Sequence, residues 1–81
     1  MTYKFEQFNV EVVDPTIEVN AESILVKPVL MQIGVDVTLT TPNGSKFGVW
    51  LDEVPVVNLE FQGYQNLYDT VKTYLDNNYT V

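Results

Sequence analysis

The sequence predicts an α+β fold: an antiparallel β-sheet of four to five strands in a meander, with one C-terminal α-helix packed on its apolar face. Three observations carry this. Residues 29–41, VLMQIGVDVTLTT, alternate Val29, Met31, Ile33, Val35, Val37 and Leu39 with Leu30, Gln32, Gly34, Asp36, Thr38 and Thr40. That is the period of a strand with one buried face. Pro42-Asn43-Gly44 then supplies turn chemistry before a second alternating stretch. From Tyr64 the apolar period lengthens to that of a helix.

The elements follow in order. Within residues 3–13, Tyr3 and Phe5 share one parity and Phe8, Val10 and Val12 the other, so a strand with a bulge near Glu6-Gln7 is expected. Asp14-Pro15 marks a turn. Residues 17–27 hold the short strand TIEVN and then SILVK, which reads as a separate short strand or as an extension of the next one past a kink. Pro28 stands just before the strand at 29–41, where a missing N–H does little harm.

The turn at 42–44 admits two registers. A two-residue Asn43-Gly44 loop pairs Val37 with Trp50 and Val35 with Asp52, mixing apolar and charged residues on both faces. A three-residue loop pairs Thr41 with Ser45, Leu39 with Phe47, Val37 with Val49 and Val35 with Leu51. Every inward pair is then apolar. Pro42 supplies the fixed φ of a type I turn and Gly44 the left-handed residue of the bulge. A one-residue slip turns an apolar set to the wrong face, so the pattern selects the three-residue loop. On the other face Thr40 meets Lys46, Thr38 meets Gly48, Asp36 meets Trp50 and Gly34 meets Asp52.

The strand at 45–52 ends in the break DEVP, and VVNLEF predicts another strand at 56–61. Gly63 redirects the chain into a helix over 64–77. Its apolar stripe is Tyr64, Leu67, Tyr68, Val71, Tyr74 and Leu75. Gln65, Asp69, Lys72, Thr73 and Asp76 face water, and Asn77 or Asn78 takes a left-handed cap. Tyr79 beyond it is either loose or a tether onto the sheet. A strand over 29–41 would span roughly 43 Å and the helix about 21 Å. The helix alone cannot cover such a strand, so either the N-terminal strands fold over the remainder or a second copy does, as a homodimer.

Composition narrows function. Eighty-one residues make one domain, 1–81, with a modest core. The N-terminal decapeptide lacks the apolar centre of a signal peptide. The apolar runs ILV and VLM are far too short to span a bilayer. No membrane partner and a cytoplasmic location are expected, the host cytoplasm if the chain is viral. Eleven carboxylates against four lysines give a net charge of −7, which disfavours direct nucleic-acid binding and leaves a basic protein partner electrostatically open. The chain has no cysteine, histidine or arginine. The usual nucleophile–base pairs, zinc sites and bidentate phosphate clamps are therefore unavailable. No metal, cofactor or catalytic residue is expected.

The nearest approach to a catalytic pair is Asp36 and Asp52 beside Trp50, backbones ~7 Å apart as diagonal strand neighbours. On an open sheet face they read as two solvated carboxylates rather than as a sugar or cation site. Trp50 either covers bare backbone at Gly34 and Gly48 or meets a partner. The expected function is a non-enzymatic protein–protein interaction module working through Asp36, Trp50 and Asp52. The acidic N-terminal strands, with Glu6, Glu11, Asp14, Glu18 and Glu22, form a second candidate surface. One version is an inhibitor that masks the basic, nucleic-acid-binding surface of its partner. The alternatives are a self-assembling structural subunit of particle-coat or scaffold type, and a small ligand-binding domain with a pocket between helix and sheet. In style alone, with no motif shared, such a small acidic chain resembles accessory proteins of viruses and mobile elements.

Overall fold

The structure, a computed structural model, describes residues 1–81. Its strands are β1 (Thr2–Phe5), β2 (Val10–Val13), β3 (Thr16–Val19), β4 (Leu25–Lys27), β5 (Gln32–Thr40) and β6 (Lys46–Pro55), followed by the helix α1 (Tyr64–Asn78). Single 3₁₀ turns occupy Glu6–Phe8 and Ala21–Ser23. The fold is α+β: two antiparallel sheets and one C-terminal helix packed against them.

β1 and β2 form a hairpin, Thr2 opposite Val13 through Phe5 opposite Val10. The parity switch read as a bulge near Glu6-Gln7 is instead this reversal. The 3₁₀ turn is closed by the Asn9 N–H donating to the Glu6 carbonyl at 3.1 Å, with Asn9 in the left-handed region at φ 53°. Asparagine tolerates that conformation better than most residues.

β5 is the centre of the main sheet. β6 pairs along one edge; β3 and β4 share the other edge in tandem, β3 against residues 37–40 and β4 against 32–34. Asn20–Ile24 loop out between them. The loop satisfies the backbone of Asp36, which has no partner strand on that edge: its N–H donates to Ser23 Oγ at 2.9 Å and its carbonyl accepts from the Asn20 N–H at 3.0 Å.

The strand expected over 29–41 begins only at Gln32, because Pro28–Met31 turn β4 back onto β5. The Met31 N–H reaches the Pro28 carbonyl at 3.3 Å and Met31 takes φ 51°. SILVK is thus a separate strand.

The β5–β6 hairpin has the three-residue loop. Thr40 opposes Lys46, Leu39 Phe47, Thr38 Gly48, Val37 Val49, Asp36 Trp50 and Val35 Leu51. Gly44 lies at φ 92°. Beyond Leu51 the register slips: Ile33 faces Val54, so Asp52 and Glu53 together oppose Gly34. This bulge departs from the expected pairing of Gly34 with Asp52 alone. It leaves both carboxylates exposed and returns Val54 to the buried face.

The same bulge carries β6 through the supposed break to Pro55, and no strand forms over 56–61. Val56 is buried with its N–H on the Met31 carbonyl, whereas Val57 is fully exposed. Asn58 Oδ1 accepts from the Glu60 N–H at 3.0 Å, a local bond that competes with a ladder.

Sixteen buried apolar side chains form one core. The helix buries Leu67, Val71 and Leu75, one residue per turn. The tyrosines placed in that stripe flank it, and the Tyr64 hydroxyl accepts the Val19 N–H at 3.0 Å. No left-handed cap forms at Asn77 or Asn78; the helix ends at Tyr79, φ −125°, whose N–H still bonds the Leu75 carbonyl. Tyr79 is the tether. Its carbonyl accepts the Lys4 N–H at 2.7 Å, its ring stacks on Phe5 at 4.9 Å, and Thr80 bridges to Tyr3. β5 spans about 30 Å at ~3.3 Å per residue and the helix about 22 Å at ~1.5 Å per residue. Tyr3, Phe5 and Val12 of the β1–β2 hairpin complete the core within the same chain.

Candidate interaction surface

On the outer face of the main sheet Trp50 stands opposite Asp36, as the turn chemistry requires. Its indole lies across Gly34: a Cβ built there would sit 2.4 Å from Trp50 Cζ2. Gly48 has open space above it, so of the two glycines only Gly34 is covered. Trp50 is 40% exposed.

Trp50 Nε1 donates to Asp52 Oδ1 at 3.3 Å, and Lys27 Nζ donates to the same oxygen at 2.8 Å and to the Asp52 carbonyl at 2.8 Å. The Lys27 ammonium, aided by the indole N–H, holds the Asp52 carboxyl below its ordinary range. Asp52 is therefore a latch between β4 and β6, its charge answered by Lys27. Asp36 takes part in no salt bridge. No group of three or more carboxylates is placed so as to hold a metal ion.

The second acidic surface is divided. Glu18 lies on β3 beside Thr38 of β5, and Glu22 on the adjoining 3₁₀ turn. Both flank Asp36. Glu11 belongs to the other sheet, where it opposes Lys4, and Glu6 to the 3₁₀ turn of that hairpin. Asp14, at φ 45°, binds the N-terminal ammonium with its side chain and the Met1 carbonyl with its N–H. The chain leaves one sheet for the other at Asp14-Pro15. The five residues grouped by sequence thus divide between the two sheets and their connections.

Two features escaped the sequence reading. The first is a polar cluster under β1. The buried Tyr3 hydroxyl donates to Asp76 Oδ1 at 2.5 Å, and Lys72 Nζ lies 2.7 Å from Asp76 Oδ2. Lys72 and Asp76, expected to face water, are half-buried. Burial and the Asp76 carboxylate raise the Tyr3 hydroxyl. Burial alone would raise Asp76 too, but Lys72 and Tyr3 together hold it below its usual value. Bonding to Asp76 in turn raises Lys72. Only the (i, i+4) spacing of Lys72 and Asp76 signals this cluster in the sequence.

The second is apolar. Leu25, Val26, Leu30 and Val29 are exposed, the last at 96%, and Met31 is 38% exposed. They wrap the β4–β5 hairpin, and Leu25 lies opposite Gly34, beside the Trp50 ring. Between Ile24 and Val35 the one charged side chain is Lys27, already paired with Asp52.

No family model, curated protein or solved structure matches this chain.

Proposed function

We propose that the protein is a non-enzymatic protein–protein interaction module that docks through the β4–β5 hairpin and Trp50, with Glu18, Glu22 and Asp36 as a polar rim. The observation that carries this reading is the exposed apolar set of one hairpin, with Leu25 on the Trp50 face, Val26 on the opposite face and Val29 and Leu30 at the tip, on a chain of net charge −7. Exposed apolar surface of this extent, rimmed by polar residues, is characteristic of interaction sites. An acidic chain that only needed solubility would place charges there.

Masking of a basic surface is less well supported than apolar docking. Asp52 is neutralised by Lys27, and Asp14 is occupied by the N-terminal ammonium. The carboxylates that remain are spread over two sheets.

The test is capture from the native source with three immobilised proteins: wild type, Leu30→Asp, and the Glu6→Gln/Glu11→Gln double variant. A partner held by wild type and the double variant but lost with Leu30→Asp supports the reading. Binding of that purified partner should change little between low and high salt. A partner that survives Leu30→Asp, or whose affinity collapses with salt, replaces this reading with electrostatic masking.

A further inference from the structure

The partner that this hairpin fits best is a second copy of the chain. We infer that two copies pair antiparallel through their β4 edges about a two-fold axis at Val26, an assignment that rests on the docking surface proposed above. β4 pairs with β5 alone, and its other edge has no strand against it. Each remaining edge of the fold carries a device or a charge that discourages such pairing. β6 has the Asp52-Glu53 bulge and ends in Pro55. The free edge of β3 is approached by the helix, whose Tyr64 hydroxyl takes the Val19 N–H. β2 carries Glu11 and is flanked by Glu6 and Asp14. Short strands, bulges, prolines and charges are the usual protections of sheet edges. β4 is short and followed by Pro28, and its one charge, Lys27, is already answered by Asp52.

Charge selects the same edge. Two copies, each of net charge −7, repel across any carboxylate-bearing face. A cationic partner would be drawn to the carboxylates, whereas a like-charged copy must approach where they are absent. The stretch from Ile24 to Val35 is that place.

Geometry adds the register. With Val26 on the axis, Leu25 of one copy meets Lys27 of the other, laying the lysine stem on the leucine. The ladder is the three residues of β4, because the turn at Pro28–Met31 carries the chain back towards β5 beyond Lys27. Leu25, Val26, Val29 and Leu30 lie at this edge and its tip, each more than two-fifths exposed, and supply the apolar surface for a pairing smaller than the standard ~800 Å² per partner. Backbone pairing of the two edges adds to this.

The experiment measures mass by light scattering after size exclusion, from micromolar to millimolar concentration, and couples it to cysteine trapping in a chain that has no cysteine of its own. Wild type should rise towards twice its 9.2 kDa. Val26→Lys should remain at monomer mass with unchanged far-ultraviolet dichroism, since Val26 lies outside the core. Val26→Cys should form a disulfide-linked dimer on mild oxidation, because directly opposed residues lie ~4.5–5.5 Å apart between Cα atoms. Glu11→Cys on the β2 edge should not.

A wild type that stays monomeric at millimolar concentration overturns the self-pairing. So does a dimer that survives Val26→Lys, or one trapped through Glu11→Cys. A monomer that still captures a foreign partner sensitive to Leu30→Asp refutes the dimer alone. A monomer without such a partner refutes the docking surface as well.

Discussion

At the scale of single residues, two glycines on one outer face have opposite expected behaviour. A methyl at Gly34 collides with the Trp50 ring at 2.4 Å, whereas one at Gly48 meets nothing within 4 Å. Gly34→Ala should therefore lift the indole off the sheet, weaken its bond to Asp52 and cost about 1–2 kcal/mol, in the range of small overpacking changes. The emission of Trp50, the only tryptophan, should shift to longer wavelength. Gly48→Ala should stabilise by ~0.5 kcal/mol, because it restricts the unfolded chain at no steric cost to the folded one. Urea unfolding followed by Trp50 fluorescence measures both. Equal effects at the two positions would show that the indole does not rest on Gly34.

At the scale of elements, the β6 bulge is one residue that can be removed. Deleting Glu53 keeps Val54 opposite Ile33 and joins that pair to Val35 and Leu51 in one unbroken register, so no apolar side chain changes face. The deletion variant should unfold cooperatively and lose less than the ~2–5 kcal/mol of a core truncation such as Leu51→Ala. Chemical denaturation of the two variants compares them directly. The bulge also explains what was legible in the sequence. The β5–β6 register was readable because two alternating stretches and a Pro-Asn-Gly loop all demand the same pairing. With it came the juxtaposition of Asp36 and Trp50. The fate of residues 56–61 was not readable, because a bulge between Asp52 and Glu53 leaves no mark in a pair of adjacent carboxylates. The parity switch after Phe5 fits a bulge or a reversal equally well, and only Asn9 in its left-handed conformation separates them. Val29, Leu30 and Met31 have the composition of a strand and read as one. As a turn they become the exposed tip, and the Lys27–Asp52 latch exists only once that turn returns β4 to the sheet.

At the scale of the whole molecule, the helix, the β1–β2 hairpin and the tail at Tyr79–Val81 close the core together, and ionisable groups sit at their junction. Asp76 at this junction, and Asp52 at the separate contact between β4 and β6, are held below their ordinary values. A depressed carboxylate stabilises the fold above its unfolded value, and that contribution is lost as pH falls through the folded one. Tyr3 and Lys72 are raised, and Tyr74, desolvated and close to Tyr79 and Glu53, is pushed up to about 12. Groups raised by folding stabilise fully below their unfolded values near 10, and their contribution is lost as pH climbs beyond them. Net charge adds a third influence: self-repulsion falls as pH drops from 7 towards the isoelectric point near 4.1. The expected profile of thermal midpoint against pH is therefore asymmetric. It is flat or slightly rising from pH 9 down to about 4.5, falls steeply below pH ~4, and falls again above pH ~10. Added salt should raise the midpoint at pH 7 and do little near pH 4. Asp76→Asn should weaken the acid limb. It also leaves Lys72 and the Tyr3 hydroxyl without their carboxylate, at about 1–3 kcal/mol at neutral pH. Tyr3→Phe keeps the Lys72–Asp76 pair and should retain most of the acid limb while reducing the alkaline one. Thermal melts followed by circular dichroism from pH 2.5 to 11 give the profiles. An acid limb unchanged in Asp76→Asn would move its origin away from the junction of β1 and the helix, to Asp52 or to carboxylates whose interactions are more diffuse.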